Sequence, residues 1–287
     1  MRIATIALPL ACLPAAARAH EAHAAPAAPD LWVILPLLLG GGLYAAGVQR
    51  LWRQAGAGRG LPPARLALFL AGWLLAAALL LSRLAALTEQ LLAAHMIQHF
   101  ALMLVAAPLL VMGRPGLALL WALPRGWRPA LARLGTLRLW HGMTHPLGAW
   151  TLYFAVLWGW HLPPLHQAAL ASDAVHAAQH FSFLAAAMLF WHAVLERPRA
   201  EGQMGALVAV FATAVQSCAL AALLTTSQVI WYPAYRGGAW GLDALQDQQL
   251  AGLIMWVPCC AIFIGAGLAL MARMLRDADR RMQRAAR

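Results

Sequence analysis

The chain has 287 residues, of which 62% are hydrophobic and only 11% charged, with a formal net charge of +11. Soluble domains carry about one-quarter charged residues, so an ordinary soluble domain is excluded and a polytopic membrane protein is indicated. All 21 basic residues are arginines in short stretches between apolar runs, where membrane topology and anionic lipid account for them. No basic–aromatic surface stands out, so nucleic acid is not an expected partner.

Residues 1–19, "MRIATIALPLACLPAAARA", read as a secretory signal peptide, with Arg2, a short apolar core and an Ala17-Arg18-Ala19 ending. A retained helix is the alternative. Residues 20–30, "HEAHAAPAAPD", form a short periplasmic linker; cleavage would leave His20 at the mature N-terminus, where amine and imidazole could capture copper. Residues 31–287 read as a single transmembrane helical domain ending in an Arg-rich cytoplasmic tail. The expected fold is therefore all-α, a polytopic bundle of about seven transmembrane helices. The spans are about 31–49, 65–82, 89–112, 146–163, 174–194, 204–224 and 248–272, each long enough to cross a bilayer or nearly so.

Seventeen of the arginines follow spans one, three and five or lie in the tail, whereas the intervening loops hold only Arg83 and Arg236. This bias places the mature N-terminus in the periplasm and the C-terminus in the cytoplasm of a bacterial inner membrane. Loop 113–145 reads as a basic segment lying on the membrane surface. The outer loop 225–247 carries Trp231, Tyr232, Tyr235 and Trp240, residues suited to the membrane–water interface.

Topology then gives depth to the histidines. Span three begins near Glu89 and carries His95 and His99, at i and i+4 on one helix face, with Gln98 beside them. Span five begins "DAVHAAQHFSFL" and repeats the pattern with His176, Gln179 and His180. Span four ends "WGWHLPP", which sets His161 at the same outer level. Five histidines from three helices can thus meet near the outer surface. An i, i+4 pair offers two imidazole nitrogens without bending the backbone. Imidazole suits copper, zinc, nickel and iron, and Gln98 and Gln179 could orient the rings. Asp247 opens the last span at the same depth and is a candidate ligand, orienting group or proton acceptor. A helix–helix hydrogen-bond network or a proton relay is the structural alternative. Met96, Met103, Met255 and the cysteines at 218, 259 and 260 are softer candidates, though methionine is also an ordinary packing residue.

Three stretches, "HMIQHFALMLVAAPLLVMGRP", "WGWHLPPLHQAALASDAVHAAQHFSF" and "WGLDALQDQQLAGLIMWVP", resemble the signatures of the caa3-type cytochrome c oxidase assembly factor family, over about residues 85–272. The resemblance implies a multi-pass inner-membrane protein that helps mature a haem–copper oxidase, with copper supply as the suggested role. It carries over His95, His99, His161, His176, His180 and Asp247 as the polar positions. This chain has His166 where the family often has an aromatic residue, and Gln179 where it often has an acid.

The expected function is a non-enzymatic assembly factor that binds copper at a periplasmic-side histidine cluster and aids its insertion. Its partners would be a haem–copper oxidase subunit, a periplasmic copper chaperone as candidate donor, and membrane lipid. Two rivals belong to other classes. One is an intramembrane zinc metallohydrolase, with Asp247 or Glu89 activating water; the other is a haem-binding membrane protein.

Overall fold

A computed structural model describes residues 31–82, 87–196, 200–235 and 239–285. The signal-peptide and linker readings, with Cys12 and His20, lie outside the described residues, as do Arg83 and Arg236. The described residues form helices and no strands. In chain order these are α1 (Leu31–Ala55), α2 (Pro63–Leu81), α3 (Leu92–Met112), α4 (Pro115–Ala122), α5 (Arg128–Leu134), α6 (Arg138–Thr144), α7 (Pro146–His161), α8 (Pro163–Ala171), α9 (Asp173–Leu195), α10 (Ala200–Thr226) and α11 (Ala244–Ala285).

Six of them (α1, α2, α3, α9, α10 and α11) are long and apolar enough to cross a membrane. The fourth expected span, about 146–163, forms α7, which has only 16 residues because Pro163 and Pro164 start a separate helix. A proline lacks the N–H that would continue the preceding helix, so the chain turns at Leu162. The count of seven is therefore approximate. α11 has 42 residues, about 63 Å of helix against a hydrocarbon core of about 30 Å. The arginine tail is thus a continuation of the last span, and Asp277 in that extension accepts a hydrogen bond from Gln203 of α10 at 2.7 Å.

Helices without a hydrophobic driving force between them need close, well-shaped contact. The main core joins α3, α7, α9, α10 and α11 around Phe183, Phe190, Trp191 and Phe263. Trp191 and Phe263 stack with centroids 5.9 Å apart. Two glycines show how close the crossings are. A Cβ on Gly252 of α11 would fall 2.3 Å from Thr225 Oγ1 of α10, and one on Gly72 of α2 would fall 2.9 Å from the Ala106 carbonyl of α3.

α3 is not a uniform α-helix. Residues Leu102–Ala106, one turn past His99, form a π-turn. There Ala107 N–H bonds to the Leu102 carbonyl, so Met103 O loses its usual donor. The next residue is Pro108, which has no N–H to offer. Trp191 of α9 fills the gap, its indole N–H donating to Met103 O at 2.9 Å.

The 113–145 segment departs from the expected surface-lying arrangement over its first part. α4 packs on α1 with Ala118 fully buried, and Arg50 donates to the Ala122 carbonyl at the end of α4. Tyr44 of α1 donates to Gly113 O at 2.9 Å and stacks on Phe69 of α2. These contacts fasten α1 to the bundle through α2 and α4.

Candidate metal site

The two histidine pairs meet. The N-terminal turns of α3 and α9 face each other, and α8 closes over them. The rings of His95 and His99 lie edge to face with centroids 4.2 Å apart. His176 stacks on His95 at 5.5 Å, and His180 meets His99 at 4.9 Å and His176 at 4.4 Å. The ligand nitrogens of His95, His99 and His176 all lie within 4.8 Å of one another. Nitrogens bound to one ion at 2.0–2.1 Å stand about 3.4 Å apart in tetrahedral geometry, so small ring rotations would close this triad on a cation.

The nitrogens are also available. Both ring nitrogens of His95 and of His99 are buried with no hydrogen-bond partner among the described residues, as is His161 Nε2. Buried polar atoms ordinarily find partners, so five such nitrogens, four on adjacent residues of one face, fit a group they are built to bind. Tautomers follow from the bonds that are made. His161 Nδ1–H donates to Leu157 O at 2.7 Å, leaving the Nε2 lone pair free. His180 Nε2–H donates to Gln98 Oε1 at 3.0 Å, leaving Nδ1. Gln98 is itself oriented because its amide N–H donates to Leu79 O at 2.8 Å, one of the last carbonyls of α2. The glutamine expected beside the first pair thus serves a histidine of the other pair. Among the described residues no hydrogen bond joins Gln179 to a histidine, and its Oε1 is buried and unpartnered.

His161 stands within electrostatic reach of His95 and His166 but outside the triad. Of the three roles expected for Asp247, its position matches that of an orienting group. It is fully buried, and its two oxygens accept the backbone N–H groups of Leu92 at 2.7 Å and Ala93 at 3.0 Å. The carboxylate therefore caps the start of α3 from across the bundle, where the unsatisfied N–H groups and the positive end of the helix dipole favour an anion. Its place is three residues before His95, as a positioning group rather than a member of the triad. Met96, Met103 and Met255 pack into the main core.

Three residues outside the expected set complete the site. His166 on α8 lies 4.9 Å from the His95 ring and 4.4 Å from the Tyr232 ring. Burial, with His161 and His176 alongside, pushes His166 down to about 3 against a hydrogen bond to the Trp160 backbone, so the ring is neutral. Its Nε2 lies 3.3 Å from the Tyr235 hydroxyl. The other ring nitrogen spends its N–H on the Trp160 backbone, so Nε2 accepts from the Tyr235 O–H. Tyr232 donates to the His161 carbonyl at 2.7 Å. The expected interfacial loop therefore folds inward: Tyr232 and Tyr235 are 1% and 2% exposed, while Trp240 is 57% exposed. Gln248 fastens it, bonding to Trp231 N and Val229 O.

Fold and site together define a polytopic helical membrane protein with a buried cluster of imidazoles between its spans. A family model for the cytochrome c oxidase caa3 assembly factor matches residues 42–277. The chain belongs to that family. No curated protein and no solved structure gives a significant match.

Proposed function

We propose that this assembly factor binds copper as cargo at His95, His99 and His176, with His180 and His161 beside them, and delivers it to a haem–copper oxidase subunit. The observation that carries the reading is the set of buried nitrogens on His95 and His99, unpartnered among the described residues, within 4.8 Å of the His176 ligand atom. The donor set suits the task. Imidazoles bind copper well, and three neutral ligands without a charged thiolate or carboxylate leave a cation readily exchanged. In this reading the pocket opens toward the periplasm, the C-terminal arginines face the cytoplasm and the membrane is the bacterial inner one. A periplasmic chaperone would be the donor.

The geometry weighs against the two rivals. Asp247 has both oxygens committed to α3, which removes it as a base for water activation at zinc. Imidazole rings packed 4.2–5.5 Å apart leave no slot for a planar macrocycle between them. The test is metal content of the purified protein after copper loading. Wild type is expected to hold copper at a fixed ratio and the His95→Ala/His99→Ala double variant to lose most of it. Equal copper in both proteins would overturn the proposal, and so would a Soret band with no copper.

A further inference from the structure

A second cluster of reactive side chains lies well away from the histidines, between the two longest helices. Cys218 of α10 and Cys260 of α11 bring their sulfur atoms to 3.0 Å. A disulfide has an S–S distance of 2.03–2.05 Å, so about 1 Å of motion separates this thiol pair from a bond. The neighbouring Cys259 is fully buried in the core instead, since adjacent helical residues face different directions.

The surroundings say what can reach the pair. On α11, Val257 and Ile264 lie one turn before and one turn after Cys260 and are 67% and 61% exposed; on α10, Val215 and Phe211 are also exposed apolar residues preceding Cys218. Exposed apolar side chains within a membrane span face lipid. Cys260 is thirteen residues along α11 from Asp247, about 20 Å of helix, so the thiols sit deep in the hydrocarbon. Water-soluble oxidants are excluded from such a site.

We propose that Cys218 and Cys260 are a redox-active dithiol that closes to an inter-helix disulfide by reducing a lipid-soluble quinone. Two S–H bonds break and one S–S bond forms. The two electrons and two protons pass to the quinone, which leaves as the quinol. The product locks α10 to α11, the helix whose Asp247 caps α3. This inference does not depend on copper binding.

The full chain carrying Cys12→Ser is reduced, placed in lipid nanodiscs and exposed anaerobically to a short-tailed benzoquinone, then alkylated and analysed by mass. The expected result is loss of two alkylatable thiols, a peptide linking residues 218 and 260, and one quinol per chain. Cys218→Ser and Cys260→Ser each abolish both products, while Cys259→Ser leaves them unchanged. Gel filtration checks each fold, with alanine replacing serine in any variant that aggregates. Three alkylated thiols after quinone treatment would overturn the proposal. So would a cross-link through Cys259, or a disulfide formed only with diamide and without quinol.

Discussion

Asp247 and Leu92, 155 residues apart in the chain, are joined by a 2.7 Å hydrogen bond from the backbone N–H of one to the carboxylate of the other. The second oxygen takes the N–H of Ala93. The last span thereby fixes where the third begins, and with it the direction in which His95 and His99 point. Charge-assisted bonds of this kind are about twice as strong as neutral ones. Asp247→Asn keeps the shape but offers one acceptor, and its amide N–H₂ meets an N–H head on. The expected outcome is a loss of about 1–3 kcal/mol, read as a lower melting temperature in detergent. Copper at saturation should keep its wild-type ratio to protein, because the carboxylate is outside the triad. A halved or absent copper ratio in a folded Asp247→Asn protein would make Asp247 a ligand after all.

Gln98 links the two histidine pairs, accepting from His180 and donating to Leu79. Gln98→Leu retains bulk and removes both bonds. The His180 ring loses its orientation, and with it the support it gives the His99 and His176 rings it meets at 4.9 and 4.4 Å. Competition with a chromogenic copper chelator is expected to show weakening of about tenfold, the low end for an outer partner of a metal ligand. The corresponding change at Gln179, which no hydrogen bond joins to a histidine among the described residues, should move affinity less than threefold. Equal effects at the two glutamines would contradict the tautomer assignment.

The helical architecture and the meeting of the two histidine pairs were legible from apolar run lengths and from the repeated H-x-x-Q-H-F spacing. Both are consequences of helix periodicity, which sequence carries directly. Three features were not. The length of α7 depends on where a proline pair ends a helix, and that trimmed a span that looked long enough. Which of its three expected roles Asp247 takes depends on a contact between residues 155 apart, for which local sequence has no signal. Aromatic residues in an outer loop read the same in sequence whether they sit at the interface or fold inward, so nothing local shows that Tyr232 and Tyr235 are buried. His166 carried one usable sign: it follows the proline pair by two residues, on a new helix that starts at the level of His161.

Trp191 repairs a defect that Pro108 creates. Removing the indole with Trp191→Phe leaves the Met103 carbonyl buried and unpaired, at an expected cost of about 1–3 kcal/mol. Pro108→Ala restores a backbone N–H at the position where a π-turn would use it. The double variant should therefore be less destabilised than the sum of the two single changes, a coupling that a thermal double-mutant cycle measures. Strict additivity would mean that the π-turn beside His99 is held by other contacts.

Tyr235 occupies the nitrogen of His166 that would otherwise be free to bind. With His166 only 4.9 Å from the His95 ring, that hydrogen bond keeps a fourth imidazole from joining the proposed copper ligands, and a three-ligand site would release copper more easily than a four-ligand one. Tyr235→Phe deletes the donor while preserving the ring that packs over the pocket. The ring of His166 is then unrestrained, with a lone pair to offer. Copper release to an excess of competing chelator should slow several-fold, while the stability cost stays near the 0.5–1.5 kcal/mol of one hydrogen bond. Adding His166→Ala to Tyr235→Phe should return release to the wild-type rate, since the retained ligand is then gone. Faster release in the single variant, or no reversal in the double, would show that Tyr235 braces the pocket instead of withholding a ligand.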